Sequence, residues 1–118
     1  MRPVPGEPFQ VTGRAGANGS VHVVSVRGCI THSTSSAFHE AVQAVTTPRL
    51  ILDLSEVPTF DSMAIGALVR VYVSCNKCGR KLALVGLNRQ LQNVLRITGV
   101  EALFESYPSI AEAESALG

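Results

Sequence analysis

The sequence predicts an α/β fold: one domain with a mixed, mostly parallel β-sheet of about four to five strands and about four helices packed on it. Three observations predict it. Strand-like and helix-like segments alternate along the chain. Two of the strand-like segments, "RLILDLS" and "KLALVGL", are near-continuous apolar runs, the kind buried on both faces of a parallel sheet. The chain has 118 residues, 46% hydrophobic and 16% charged, a size and composition that suit a single globular core without disulfide or metal support.

Residues 1–8, "MRPVPGEP", read as a loose proline-rich arm, and residues 9–118 as the domain. "FQVTGR" and "SVHVVSVRG" favour strands through their β-branched residues. The intervening "AGANGS" reads as a hairpin turn, with Asn18 and Gly19 suited to positive φ. In "THSTSSAFHEAVQAV", Phe38, Ala41, Val42 and Val45 fall at helical spacing. The Ser/Thr cluster before them offers N-caps, and Thr46, Thr47 and Pro48 end the helix. "RLILDLS" is a strand, and "EVPTF" a loop into the long helix "DSMAIGALVRVYVSCNKCG", which Gly79 stops. "KLALVGL" is another buried strand. "NRQLQNVLRITG" is a helix with Asn88 as cap, Leu91, Val94 and Leu95 on one face, and Gly99 as stop. "ALFES" is a short edge strand. "SIAEAESAL" opens with Ser109 and Glu112 at the spacing of a capping box. The order is β-β-α-β-α-β-α-β-α.

Bulk properties exclude several function classes. A formal net charge of +1, with no basic stripe beyond Lys77, Arg80 and Lys81, argues against nucleic acid as partner. No apolar run approaches the roughly 20 residues that cross a bilayer, so no direct membrane insertion is expected. Three cysteines do not form a secreted framework. A cytoplasmic location is expected.

No enzyme motif emerges. Ser62, one of His22, His32 or His39, and Asp53 supply the types of a catalytic triad, but Ser62 lacks the flanking glycines of a nucleophile elbow. His32 and His39 are expected to flank the first helix as surface residues. Phosphate-cradling loops are absent, and no cofactor is expected. Cys75 and Cys78 in "CNKC" lie three apart, toward one side of the helix and near its C-terminus. That is the wrong end for a dipole-activated thiol. Two packed thiols is the simpler reading, with a redox switch as the alternative.

"PTFDSMAIGALV" carries the strongest functional signal. Asp61 is a good N-cap, which makes Ser62 the first helical residue, at the positive end of the helix dipole. From Met63 to Val73 the helix is apolar apart from Arg70. Ile65, Leu68, Val69 and Tyr72 are assigned to the sheet, which leaves Met63, Ala67 and Val71 nearer the outside, available to a partner. A phosphate on Ser62 adds about −1.5 to −2 charges beside Asp61 and repels a docked partner without unfolding the domain.

"LILDLSEVPTFDSMAIGALVRVY" resembles the signature of STAS domains, and among them the bacterial anti-sigma factor antagonists. "GRKLALVGLNRQLQNVLRITGVEALFESYPSIAEAESAL" is similar to the family's second half, so the resemblance runs from about Ser20 to the end. It implies a cycle. The unphosphorylated antagonist binds an anti-sigma factor that is also a serine kinase, which frees the sigma factor. The kinase phosphorylates the serine after the motif's aspartate, here Ser62, and the antagonist dissociates until a phosphatase resets it. The implied contacts are Asp61, Ser62, Met63 and Ala67 from the helix and Cys29, Thr31, His32 and Ser33 from the loop "GCITHST". Met63 and Ala64 stand where the family has Ser-Gly, and Cys29 and Thr31 where it has acidic residues. STAS-like domains also serve as transporter subunits or tails, including in lipid transport, and some bind nucleotides. Those are the alternatives to a phosphoswitch.

Overall fold

A computed structural model describes residues 10–16, 21–28, 34–45, 47–57 and 62–117, without the side chains of Ser35, Ser62, Met63 and Leu117. The proposed arm, the Asn18–Gly19 turn and the loops 29–33 and 58–61 lie outside the described residues.

Five strands form one sheet in sequence order: β1 (Gln10–Ala15), β2 (Val21–Arg27), β3 (Arg49–Glu56), β4 (Lys81–Val85) and β5 (Glu105–Tyr107). β1 runs antiparallel to β2, with Val11 opposite Val26 and Arg14 opposite Val23. The other pairs are parallel, with Leu52 between Val24 and Leu84 in register. Four α-helices connect or follow them: α1 (Ser35–Gln43), α2 (Ser62–Lys77), α3 (Arg89–Ile97) and α4 (Ile110–Leu117).

Side-chain alternation along the strands divides the core in two. Leu50, Leu52 and Leu54 of β3 point to one face, where they meet Phe38 and Val42 of α1, Leu68 and Val71 of α2, and Leu91 and Leu95 of α3. Ile51 points the other way, with Val21, Val23, Ala83 and Val85, against Ala113 of α4. The sheet is therefore covered by three helices on one face and by α4 on the other. That is why β3 and β4 are apolar at successive positions rather than alternate ones.

Capping explains where the helices stop and start. At the end of α2 the N–H of Gly79 donates to Asn76 O (3.3 Å) and that of Arg80 to Cys75 O (2.8 Å). This pair of hydrogen bonds requires a left-handed residue, and Gly79 supplies it at φ +71°. Asn88 caps α3 by accepting the N–H of Leu91 at 2.8 Å. The hydroxyl of Ser109 accepts the N–H of Glu112 at 3.2 Å at the start of α4.

Three expectations are corrected. Ala102 and Leu103 belong to a single 3-10 turn, Glu101–Leu103, and the edge strand begins only at Glu105. The turn swings Phe104 back onto Tyr72, edge to face at a centroid distance of 5.7 Å. His39 does not flank α1 but sits inside it, partly buried, with Nδ1 shielded from solvent. The third correction concerns the face that α2 buries, and it bears on the site.

Candidate functional site

The candidate site lies at the carboxyl edge of the parallel strands. Because β2 and β3 are parallel neighbours, the chain leaves both of them at the same edge. The exit from β2 is held by the N–H of Gly28 donating to Glu56 O at 3.2 Å, with Gly28 at φ +94°. The exit from β3 is closed by the N–H of Val57 donating to Leu54 O at 3.0 Å. The next exit is tied in as well: the side-chain amide of Asn88, after β4, donates to Val57 O at 3.5 Å. The two segments expected to contact a partner, 29–33 and the start of α2, thus depart from adjoining strand ends.

Polar groups brace this edge. Asp53 Oδ1 accepts from both the hydroxyl (2.7 Å) and the backbone N–H (3.1 Å) of Ser55, and Oδ2 accepts the hydroxyl of Ser25 at 3.4 Å. Gly86 passes so close that a Cβ there would lie 3.0 Å from the backbone N of Ser55. Asp53 therefore has a local structural role in ordering the end of β3.

Ser62 is the first residue of α2, as the Asp-Ser reading requires. Asp61, Cys29, Thr31, His32 and Ser33 lie outside the described residues, and for Met63 only the helical backbone is described. Ala67 and Val71, placed nearer the outside from the sequence, are buried at 5% and 0% exposure. The buried stripe is Ala64, Ala67, Leu68, Val71 and Cys75, while Ile65, Val69 and Tyr72 are only partly covered. The outer face is Gly66, Arg70, Val73 and Lys77, with Val73 at 46% its large exposed hydrophobe. Small residues set this rotation. Ala64 and Ala67 belong to the same core as Phe38 and Val42 of α1, where larger side chains would hold the helices apart. The amide of Gln43 on α1 reaches the hydroxyl of Ser74 at 3.4 Å. Along the described part of α2 there is therefore no broad apolar face left for a partner.

The opposite end of α2 holds "CNKC". Cys75 is buried and Cys78 exposed, both as free thiols. They differ in exposure although they are neighbours in one turn, with Cys78 just beyond Lys77, the last helical residue. Burial pushes the Cys75 thiol above its ordinary value, against the lowering pull of the Arg80 guanidinium. Among the described residues, no three His, Cys, Asp or Glu side chains gather as a metal site would need, and no helix is long and apolar enough to cross a membrane.

Comparison with known proteins places this architecture. A Thermotoga neapolitana protein, named as the homolog of an anti-sigma factor antagonist, is 34% identical over 65 residues, 55% of this chain and 58% of that protein. The chain thus spans somewhat over half the length of that curated relative. The crystal structure of an anti-sigma factor antagonist from Mycobacterium paratuberculosis superposes with a TM-score of 0.78 at 28% identity, covering 92% of this chain and 94% of the other. The murine Slc26a9 anion transporter in its inward-facing state is also similar, at TM-score 0.75 and 28% identity, covering 83% of this chain and 18% of the transporter. The STAS domain model matches residues 14–113, nearly the whole sheet and all of α1 to α3, and on that match the chain belongs to the STAS domain family.

Proposed function

We propose that the chain is an anti-sigma factor antagonist controlled by phosphorylation of Ser62. In its unmodified form it binds an anti-sigma factor with serine kinase activity and frees a sigma factor for transcription. The kinase transfers the γ-phosphoryl group of ATP to the Ser62 hydroxyl, ADP leaves, and the phosphorylated chain is released. A phosphatase hydrolyses the phosphoserine and restores binding. The chain is the substrate in this cycle and not an enzyme, and it works in the cytoplasm, where ATP and the transcription machinery are found.

The observation that carries this reading is the position of Ser62 as first residue of α2, at the edge where the segment after β2 also departs. The contact surface is then Asp61, Ser62 and Met63 from one segment and Cys29, Thr31, His32 and Ser33 from the other. Ala67, on the buried face of α2, packs the first turns of the helix into the core and is not part of that surface. A phosphate at Ser62 adds about −1.5 to −2 charges, which a helix N-terminus accommodates and a closely docked acidic or apolar partner does not. The similarity to the mycobacterial antagonist over 92% of the chain supports the same reading.

The test is incubation with candidate anti-sigma kinases and ATP, with phosphate located by mass spectrometry. Modification at Ser62, its loss in Ser62→Ala and weakened kinase binding by Ser62→Glu are the expected results. No bound kinase and no phosphate at Ser62 would refute the proposal.

The likeness to the murine anion transporter favours a second reading, a docking module of a transporter. Co-purification of a membrane complex insensitive to Ser62→Ala would select it.

A further inference from the structure

Beyond the sigma-factor reading, we propose that Cys75 and Cys78 are a peroxide-responsive dithiol that closes to an intramolecular disulfide at the C-terminal end of α2.

Three features of this end support it. The two residues are held in one turn: the N–H of Cys78 donates to Cys75 O at 3.2 Å, and the N–H of Arg80 to the same oxygen at 2.8 Å. Residues three apart in a helix have Cβ atoms about 5–6 Å apart, and a disulfide needs about 3.5–4.5 Å. The remaining distance has to be closed by local backbone movement. Cys78 lies just past the last helical residue and before Gly79 at φ +71°, so that movement need not break the body of the helix.

The thiols are also unequal in the way a reacting and a resolving cysteine are. Cys78 is exposed and meets oxidant first. Cys75 is 1% exposed but lies in the wall of a cleft of about 350 Å³, with Asn76, Arg80 and Lys81. The third feature is a guanidinium nitrogen without an acceptor. Arg80 Nε donates to Thr47 O at 2.7 Å, which anchors the guanidinium, while its Nη2 is buried with no hydrogen-bond partner among the described residues. A Cys75 thiolate formed during the exchange supplies negative charge beside that cation.

The chemistry balances with a peroxide as oxidant. The Cys78 thiolate attacks one oxygen of hydrogen peroxide, the O–O bond breaks and hydroxide leaves, giving a sulfenic acid. The Cys75 thiol gives up its proton, its thiolate attacks the Cys78 sulfur, and the S–O bond breaks; the oxygen leaves as water after taking up that proton, giving the disulfide. Two thiols are oxidised by two electrons and one peroxide is reduced. A dithiol reductant reverses the step.

The sequence supplies a direct readout. Trypsin cuts after Lys77, between the two cysteines, so the peptides Val71–Lys77 and Cys78–Arg80 stay joined only if the disulfide is present. The reduced full-length chain is treated with hydrogen peroxide, its remaining thiols are alkylated, and the digest is analysed by mass spectrometry. The linked pair, from monomeric protein and lost on reduction, is the expected product. Cys75→Ser should instead leave Cys78 as a sulfenic acid that dimedone traps. Alkylated Cys75 and Cys78 after peroxide treatment, or Cys78 joined to Cys29 or to a second chain, would overturn the proposal.

Discussion

The backbone N–H of Gly28, at the end of β2, donates to the carbonyl of Glu56, at the end of β3, at 3.2 Å. This bond joins the two strand exits from which the proposed contact segments depart. Gly28 sits at φ +94°, where an L-residue is strained by roughly 1–2 kcal/mol. Gly28→Ala is therefore expected to lower stability by about that amount and to weaken binding of the proposed anti-sigma kinase more than a substitution on the far side of the sheet. Urea unfolding and a binding titration on the same samples check both.

The rotation of α2 predicts opposite outcomes for two neighbouring faces. Ala67 is packed in the core with α1, so Ala67→Leu overfills the contact and should cost about 1–3 kcal/mol. Val73 is 46% exposed, and Val73→Ser should change stability by no more than about 0.5 kcal/mol. If denaturation midpoints showed the reverse order, the helix would be rotated as the sequence suggested.

Leu68 is fully buried between α2 and the sheet. Leu68→Ala should cost about 2–5 kcal/mol, the range for removing a core leucine and leaving a cavity. Arg70→Ala, on the exposed face, serves as the near-neutral comparison.

Asn88 makes two contacts with different jobs. Its carbonyl oxygen caps α3 through Leu91 N–H, and its amide reaches Val57 O. Asn88→Ala is expected to cost about 1 kcal/mol from the lost cap. Asn88→Asp keeps an acceptor for the cap and removes the donor to Val57, so most of the stability should return. Thermal unfolding of both variants separates the two roles.

Stability should fall at alkaline pH for a specific reason. The hydroxyl of Tyr107 donates to Glu105 Oε1 at 3.1 Å, which raises the phenol above its ordinary value of 10.0, with burial and the carboxylate charge acting the same way. The folded chain then holds this proton more tightly than the unfolded chain. The contribution is complete below the unfolded value and is lost as pH rises through the folded one. Cys75, raised chiefly by burial from 9.0, acts in the same direction. Tyr107→Phe removes this contribution at every pH, so it should lower stability in the neutral region, where the contribution is complete, and flatten the alkaline limb of the profile.

Much of this architecture was legible because its signals are local. The apolar runs of β3 and β4, the Asn88 and Ser109 caps and the Gly79 and Gly99 stops each depend on a few adjacent residues, and each appears where the sequence put it. The start of β5 was missed by a few residues, since Ala102 and Leu103 read equally as strand until Phe104 is seen packed on Tyr72. The buried face of α2 was misread because the helix is apolar nearly all round. With Ile65, Leu68, Val69 and Val71 all acceptable to a core, hydrophobicity does not select a side, and close packing with α1 does.

The sequence by itself determined the order of elements, the double-sided burial of the central strands and the placement of Ser62 at a helix start. These follow from periodicity, capping and backbone preference, which act over a few residues. Only the tertiary structure decided that the exits from β2 and β3 adjoin, that Ala67 and Val71 turn inward, and that Cys75 is buried while Cys78 is exposed. Those relations depend on strand pairing and helix packing between distant segments, where the fit of side chains across the interface selects one arrangement among several that local chemistry allows.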